Sequence, residues 1–435
     1  MKKLLTLAAA FLGLTAAPAT AQDFTRDFVI TNATVATGDG SEPIPNATVV
    51  VRQGKIVRIE RETRSDYGVS TIDGTGKWVT PGFVIALTDL GLYDVGAVGN
   101  SNDKGANNAR FDAAIDVAKA INPASQHIKV SRAAGITRAL VTPSHGPSIF
   151  AGQGALIDLG HDPDMVQQAR AFQLVELGET GARIAGGSRA AAYVELGNAL
   201  REARAFARGR WDAGEALLTR ADAEALVPVV TGRQSLYVEV EREADIRQVL
   251  AFKRDNPRIK LVLVGASEGW LMADEIANAR VPVIADALDD LPSSFEQLAA
   301  TQSNVARLTK AGVKVAIGRL AGGTDGHPRS AAQFAGNLVA LGKIPRADGL
   351  TWGQALATIT SLPAEIAGHG GKFGVIAPGA AADLVIWDGD PLEVSNTPTK
   401  VYIDGLEQPL ESHQSALAQR YKDLDESDLP KAYDW

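Results

Sequence analysis

The stretch Trp78-Val79-Thr80-Pro81-Gly82-Phe83-Val84-Ile85-Ala86-Leu87-Thr88-Asp89-Leu90-Gly91 decides how the rest of the chain is read. A Pro-Gly corner leads into a short apolar run, which is how a buried parallel strand begins. Further strand patterns follow at 136–142, 154–159, 236–241, 261–266, 281–286 and 313–318. Helical patterns separate them at 112–120, 189–208, 243–255, 271–279, 293–310 and 330–342. Strands alternating with helices over this length predict a parallel sheet, closed as an α/β, TIM-like (β/α)8 barrel. An open doubly wound sheet is the competing architecture, but no Gly-rich phosphate loop follows any early strand. The stretch 160–235 yields no strand.

Upstream of the corner the pattern is all strand. Residues 28–30 and 47–52 are apolar and β-branched, Gly54 turns the chain, and 55–59 returns as a hairpin. Another turn, 72–78, precedes the corner. These strands alone are too few for a sheet packed on both faces. Strand patterns at 373–387 and 401–405 supply what is missing, and chain ends often lie close together. The predicted organisation is a leader over 1–21, the first part of a β-sandwich over 22–80, a barrel over 81–369, the second part of the sandwich over 370–410, and a polar tail over 411–435 with a short helix at 415–422.

Composition narrows the chemistry. Met1-Lys2-Lys3, an apolar run over 4–17 and the small-x-small triplet Ala19-Thr20-Ala21 read as a secretory signal peptide cleaved after Ala21. The run is too short to span a bilayer, and the expected location is the periplasm. The chain has no cysteine, which excludes a thiol nucleophile, disulfides and Cys-ligated zinc. A net charge of −8 argues against nucleic acid or an anionic membrane surface as partner. There are six histidines: His127, His145, His161, His327, His369 and His413.

The Pro81-Gly82 corner with its strand resembles the first barrel strand of the amidohydrolase superfamily, imidazolonepropionase-like branches in particular. The strand patterns at both chain ends resemble that family's composite β-sandwich. The resemblance covers nearly all of the chain beyond the leader. It implies a zinc-dependent hydrolase of non-peptide, cyclic-amide carbon–nitrogen bonds acting through a metal-activated water. Family members end the first strand in Asp-x-His-x-His. Here those positions hold Ile85, Leu87 and Asp89. The fifth strand's histidine position holds Glu239, with Glu241 two residues on. The sixth strand ends at Gly265 where the next histidine belongs. The last strand continues Arg319-Leu320 where the catalytic aspartate belongs. No lysine lies between Lys129 and Lys253 to serve as a carbamylated bridge, and Asp158 is the nearest acidic substitute.

The degenerate ligand positions are therefore Leu87, Asp89, Glu239, Gly265 and Leu320, and no metal ligand set is expected, because zinc favours imidazole or thiolate. The barrel mouth, where such folds keep their active groups, is expected to hold Asp89, Glu239 and Glu241 facing one way. Crowded acids need a counter-charge. Arg242 and Arg319 are the candidate partners; Mg, Ca or Mn is the alternative. His145 follows the second strand and is a further candidate for the mouth. Asp325 and His327, after the last strand, are the candidate acid–base pair. The expected function is a ligand-binding protein or a non-catalytic subunit of an intact amidohydrolase, or else a hydrolase with a rebuilt carboxylate–arginine site. Expected partners are a small-molecule ligand or substrate and a homo- or hetero-oligomeric copy, with no membrane span after cleavage.

Overall fold

The computed structural model describes residues 26–61, 67–319 and 327–422. Residues 1–21, where a leader is expected, and the last part of the polar tail lie outside them. The chain opens with β1 (Phe28–Val35), β2 (Ile44–Arg52), β3 (Lys55–Glu60), β4 (Ser70–Asp73) and β5 (Trp78–Pro81). Gln53 and Gly54 join β2 to β3 with φ of 51° and 72°, the geometry of a two-residue hairpin turn. A Cβ on Gly54 would lie 2.3 Å from the Asp404 carbonyl, so no side chain fits there.

The barrel follows at once. Its strands are β6 (Phe83–Thr88), β7 (Ile136–Val141), β8 (Phe150–Asp158), β9 (Val166–Glu176), β10 (Ser235–Val240), β11 (Lys260–Gly265), β12 (Val283–Ala285) and β13 (Val315–Ile317). They lie side by side in chain order. A parallel bridge between Ala86 and Gly318 joins the first strand to the last, and the Arg319 N–H donates to the Ala86 carbonyl at 3.0 Å. Stacked Phe172 and Tyr237 rings, with centroids 4.3 Å apart, fill part of the interior beside Leu140, Leu156, Val262 and Ile284. Each such side chain contributes roughly 1.5–3 kcal/mol by leaving water.

The chain then returns through β14 (Leu384–Trp387), β15 (Pro398–Ile403) and β16 (Leu406–Glu407). These extend the first sheet in the order β16-β15-β14-β5-β1-β2-β3, with β4 also on β1. The two chain ends zip together at β5 and β14, where Trp78 faces Trp387 and Pro81 faces Leu384. Phe28 on β1 stacks on Tyr402 of β15 at 4.5 Å although these strands are not neighbours, so the sheet curls over its own core as the composite sandwich requires.

The barrel departs from the all-parallel expectation in one place. β8 runs antiparallel to both β7 and β9. Residues 142–149 contain no helix, and a parallel return needs a crossover of about a dozen residues, usually helical. The neighbour β9 falls in the stretch where no strand was legible. Its first half, 166–170, is exposed and polar, and only Phe172–Glu176 is buried.

Among the helices, Arg189–Ala207 and Glu243–Asp255 match expectation closely. The first buries Ala192, Leu196, Ala199, Leu200 and Ala203, one stripe at helical spacing. Ala331–Leu341 and Ala273–Ala279 also stand where expected. The helix expected over 293–310 shrinks to Asn304–Lys310, because Glu296 leaves the helical path to accept from the Glu179 N–H and from Arg189. The one expected over 112–120 is a single tight turn, Val117–Lys119. The Asp222 carboxylate takes the N–H groups of Asp112 and Ala114 instead. The tail helix is His413–Arg420, started by a Ser412–Ser415 capping box.

Candidate functional site

The mouth is organised by Arg319. Gly318, just before it, admits no side chain, since a Cβ there would lie 2.2 Å from the Ala86 carbonyl. Arg319 then takes a left-handed φ of 60°. That conformation is sparsely populated by non-glycine residues. It places the guanidinium among carboxylates from two strand ends. Arg319 pairs with Glu239 at 3.0 Å, Glu241 at 2.5 Å and Asp286 at 3.2 Å. Glu239 and Glu241 are two residues apart at the end of β10 and reach the same cation. Asp286 directly follows β12.

Glu241 is fully committed. Besides Arg319 it accepts from the Ser267 N–H at 3.0 Å and the Ser267 hydroxyl at 2.7 Å. The Ser267 hydroxyl also lies 3.1 Å from Asp289 and accepts from Gln297. A Cβ on Gly265 would lie 2.3–2.6 Å from the Glu241 carboxylate, and Gly265 itself has φ of 82°. The missing side chain at Gly265 thus leaves the space into which Glu241 packs. On the other side, Glu176 at the end of β9 hydrogen-bonds Glu239.

Four carboxylates around one guanidinium leave negative charge in excess, and the titration behaviour follows. Burial and the neighbouring Glu239 raise the Glu176 carboxyl well above the usual range. Burial raises Glu241 against the pull of Arg319 and Ser267. Burial, with Glu241, Asp289 and Glu239 nearby, pushes Asp286 up to about 7 in spite of Arg319. Burial would lower Arg319, but Asp286, Glu239 and Glu241 override it and hold the guanidinium charged.

The other expected residues fall elsewhere. Leu87 is buried with φ of 63° and offers only hydrocarbon. Asp89 is buried beside Lys104, 3.5 Å away. Arg242 does not join the cluster: it turns to Asp245 at 3.0 Å, at the start of its own helix, where Arg189 binds the same carboxylate. The i, i+3 contact is local and needs no strand-end geometry. His145 sits exposed in its loop. His327 is half-buried, and its Nδ1 accepts from the Arg329 N–H. Burial, Arg329 and His127 push it down to about 4 against Asp89, so at neutral pH it is an uncharged imidazole. Its ring centroid lies 6.0 Å from that of His127, which in turn packs on Tyr93. Asp325 and Leu320 lie outside the described residues. Asp158 emerges at the opposite end of the barrel because β8 is reversed, and there meets Arg138.

Sequence reasoning missed Glu176, Asp286 and Lys104. Glu176 ends a strand that was not recognised. Asp286 was legible in principle, as the acidic last residue of the strand expected over 281–286. Lys104 lies in the loop between β6 and the first helix, Gln126–Ala133, where no periodicity locates a side chain. Among the described residues, no three of His, Asp and Glu gather in a metal-ligating group.

Comparison with known proteins gives the same framework. The amidohydrolase family model matches residues 239–406, from the mouth glutamates to the last strands. The amidohydrolase tasK of Hapsidospora irregularis is 47% identical over 60 residues, which is 14% of this chain and 6% of that much longer protein. The crystal structure of an amidohydrolase from Thermotoga maritima MSB8 is similar over 87% of this chain and 99% of its own, with a TM-score of 0.77 at 23% identity. Molinate hydrolase is similar over 89% of this chain and 95% of its own, at a TM-score of 0.55 and 16% identity. A zinc-bound adenosine deaminase from Xanthomonas campestris covers 91% of this chain and 97% of its own, at 0.52 and 15%. The matched segment 239–406 is thus similar to the amidohydrolase family, and the barrel with a sheet made of both chain ends is the fold that the chain shares with these solved structures.

Proposed function

We propose that this protein keeps the amidohydrolase scaffold but has exchanged the metal centre for an arginine–carboxylate cluster, and that it binds a small molecule at the barrel mouth without hydrolysing it through a metal-activated water. The observation that supports this reading is the contact of Arg319 with Glu239, Glu241 and Asp286. A fixed cation among the remaining oxygen donors repels a divalent ion and occupies the lone pairs it would need. Leu87 and Gly265 have no donor atom to offer zinc. The residues present do not fit the metal. The excess of carboxylates favours a ligand that brings a cationic or strongly donating group. We also propose export to the periplasm after cleavage at Ala21, and a role as ligand-binding partner of a catalytically intact relative.

Turnover of a panel of cyclic amides and N-acyl amino acids, with and without added zinc, tests the proposal. The expected result is no zinc-dependent turnover; zinc-dependent turnover would overturn it. A second reading rests on a separate observation: burial and the neighbouring Glu239 raise the Glu176 carboxyl, and Asp286 is pushed up to about 7. Such groups can serve as general acid and base. On that reading the panel shows zinc-independent turnover that Glu239→Gln abolishes.

A further inference from the structure

At the end of the barrel opposite Arg319, the N-terminal ends of β10 to β13 surround a cavity of about 820 Å³, within the usual size of a small-molecule site. Its floor is hydrocarbon: Leu261, Val262, Val281 and Val313 are buried there. Its wall carries Arg233, Lys253, Lys260, Arg280, Lys314 and Lys372, against a single carboxylate, Glu365. This excess of positive charge stands in a chain whose net charge is −8. A solvated face of a protein this acidic would mix the two signs; a concave wall of one sign focuses its field on an anion.

Part of the wall is already fixed. Lys253 donates to the Pro257 and Ile259 carbonyls at 3.1 and 2.5 Å, and Lys314 pairs with Glu365 at 2.7 Å. His369 donates to or accepts from Gln168 at 2.8 Å. Burial, then the positive charge of Lys372 and Arg138, lowers its affinity for a proton. Among the described residues, Lys260, Arg280 and Lys372 form no ion pair. Arg280 holds a left-handed φ of 53° at the end of the helix Ala273–Ala279, a conformation that turns its side chain off the helix and into the wall.

We propose that this cavity is a binding site for a small polyanion carrying two or more phosphate or carboxylate groups, held by Lys260, Arg280 and Lys372 over the apolar floor. Guanidinium and ammonium groups donate charge-assisted hydrogen bonds to such anions. The anion relieves the mutual repulsion of the uncompensated cations. The site shares no residue with the mouth, so its occupancy is independent of how the mouth is read.

Titration calorimetry of the full chain with inorganic pyrophosphate, and with inorganic phosphate as the single-group comparison, tests the proposal. The expected result is saturable one-to-one binding of pyrophosphate, tighter than phosphate and weakened by added salt. The exposed double variant Lys260→Ala/Lys372→Ala is expected to lose about ten-fold or more in affinity. Arg280→Glu, an independent surface reversal, gives a loss at least as large. A double variant of exposed lysines elsewhere, Lys310→Ala/Lys343→Ala, leaves binding unchanged. Absence of saturable binding up to about 10 mM, or equal weakening in the control variant, overturns the proposal.

Discussion

The Glu241 carboxylate fills the volume that a side chain at Gly265 would need, with its Oε1 2.3 Å from where the Cβ would stand. The two positions form one unit: glycine at the end of β11 is what lets the glutamate at the end of β10 reach Arg319. An imidazole introduced at 265 would therefore collide with the Glu241 carboxylate.

Gly265→Ala is expected to cost about 2–4 kcal/mol in denaturant unfolding, from the left-handed φ together with the contact. The loss shrinks in the Glu241→Ala background, where the contact is gone and only backbone strain remains. A double-mutant cycle reads the difference directly; additive losses would mean that the two positions do not touch.

Arg319→Met removes the counter-charge and leaves Glu239, Glu241 and Asp286 facing one another. Breaking a buried pair by deleting one partner costs about 3–5 kcal/mol. The loss is expected to be largest at neutral pH and smaller near pH 5, where the acids take up protons. An equal loss at both values would show that packing, and not charge, is what Arg319 contributes.

The raised Asp286 carboxyl sets a pH dependence. Its folded value is about 7, above the usual 3.8 of the unfolded chain. Its contribution to stability is therefore fully present below about pH 4 and is lost as pH rises toward 7. Asp158, pushed up to about 6 chiefly by burial, acts in the same direction over a narrower window. Asp286→Asn is expected to flatten the fall in stability between pH 4 and 7. It should gain on the order of 1–2 kcal/mol over the native chain at pH 8. An unchanged slope would place the titration on another group.

Across the barrel, Arg138 binds Asp383 at 2.7 Å and Asp404 at 3.0 Å, with Asp158 at 4.0 Å. These bonds tie β7 and β8 of the barrel to the returning chain at β14 and β15. Arg138→Leu strands buried carboxylates and is expected to cost about 3–5 kcal/mol. A thermal melt checks this, and a change within about 0.5 kcal/mol would contradict a role for the cluster in joining the two sheets.

Strands that begin at a turn and run apolar for a whole span were legible: Pro81-Gly82 announces β6, and 236–241 and 261–266 announce β10 and β11. The pairing of Glu239 and Glu241 with Arg319 was legible too, because residues two apart on a strand share a face and all three stand at strand ends on the same mouth of the barrel. β9 was not, since half of it is polar and exposed and its pairing with reversed β8 is decided by the short, helix-free loop at 142–149. Missing that strand hid Glu176. Arg242 misled because a strand-end position says nothing about a competing local partner, and Asp245 lies one helical turn away.

Metal content is the measurement that tests the exchange of charge at the mouth most directly. Full-length protein, expressed with zinc supplied and analysed by elemental mass spectrometry after desalting, is predicted to carry far less than one equivalent of zinc or any other divalent ion. Arg319→Met is predicted to take up no zinc either, for want of imidazole at Leu87 and Gly265. One tightly held equivalent in the native chain, lost on substitution of Glu239 or Glu241, would contradict the account.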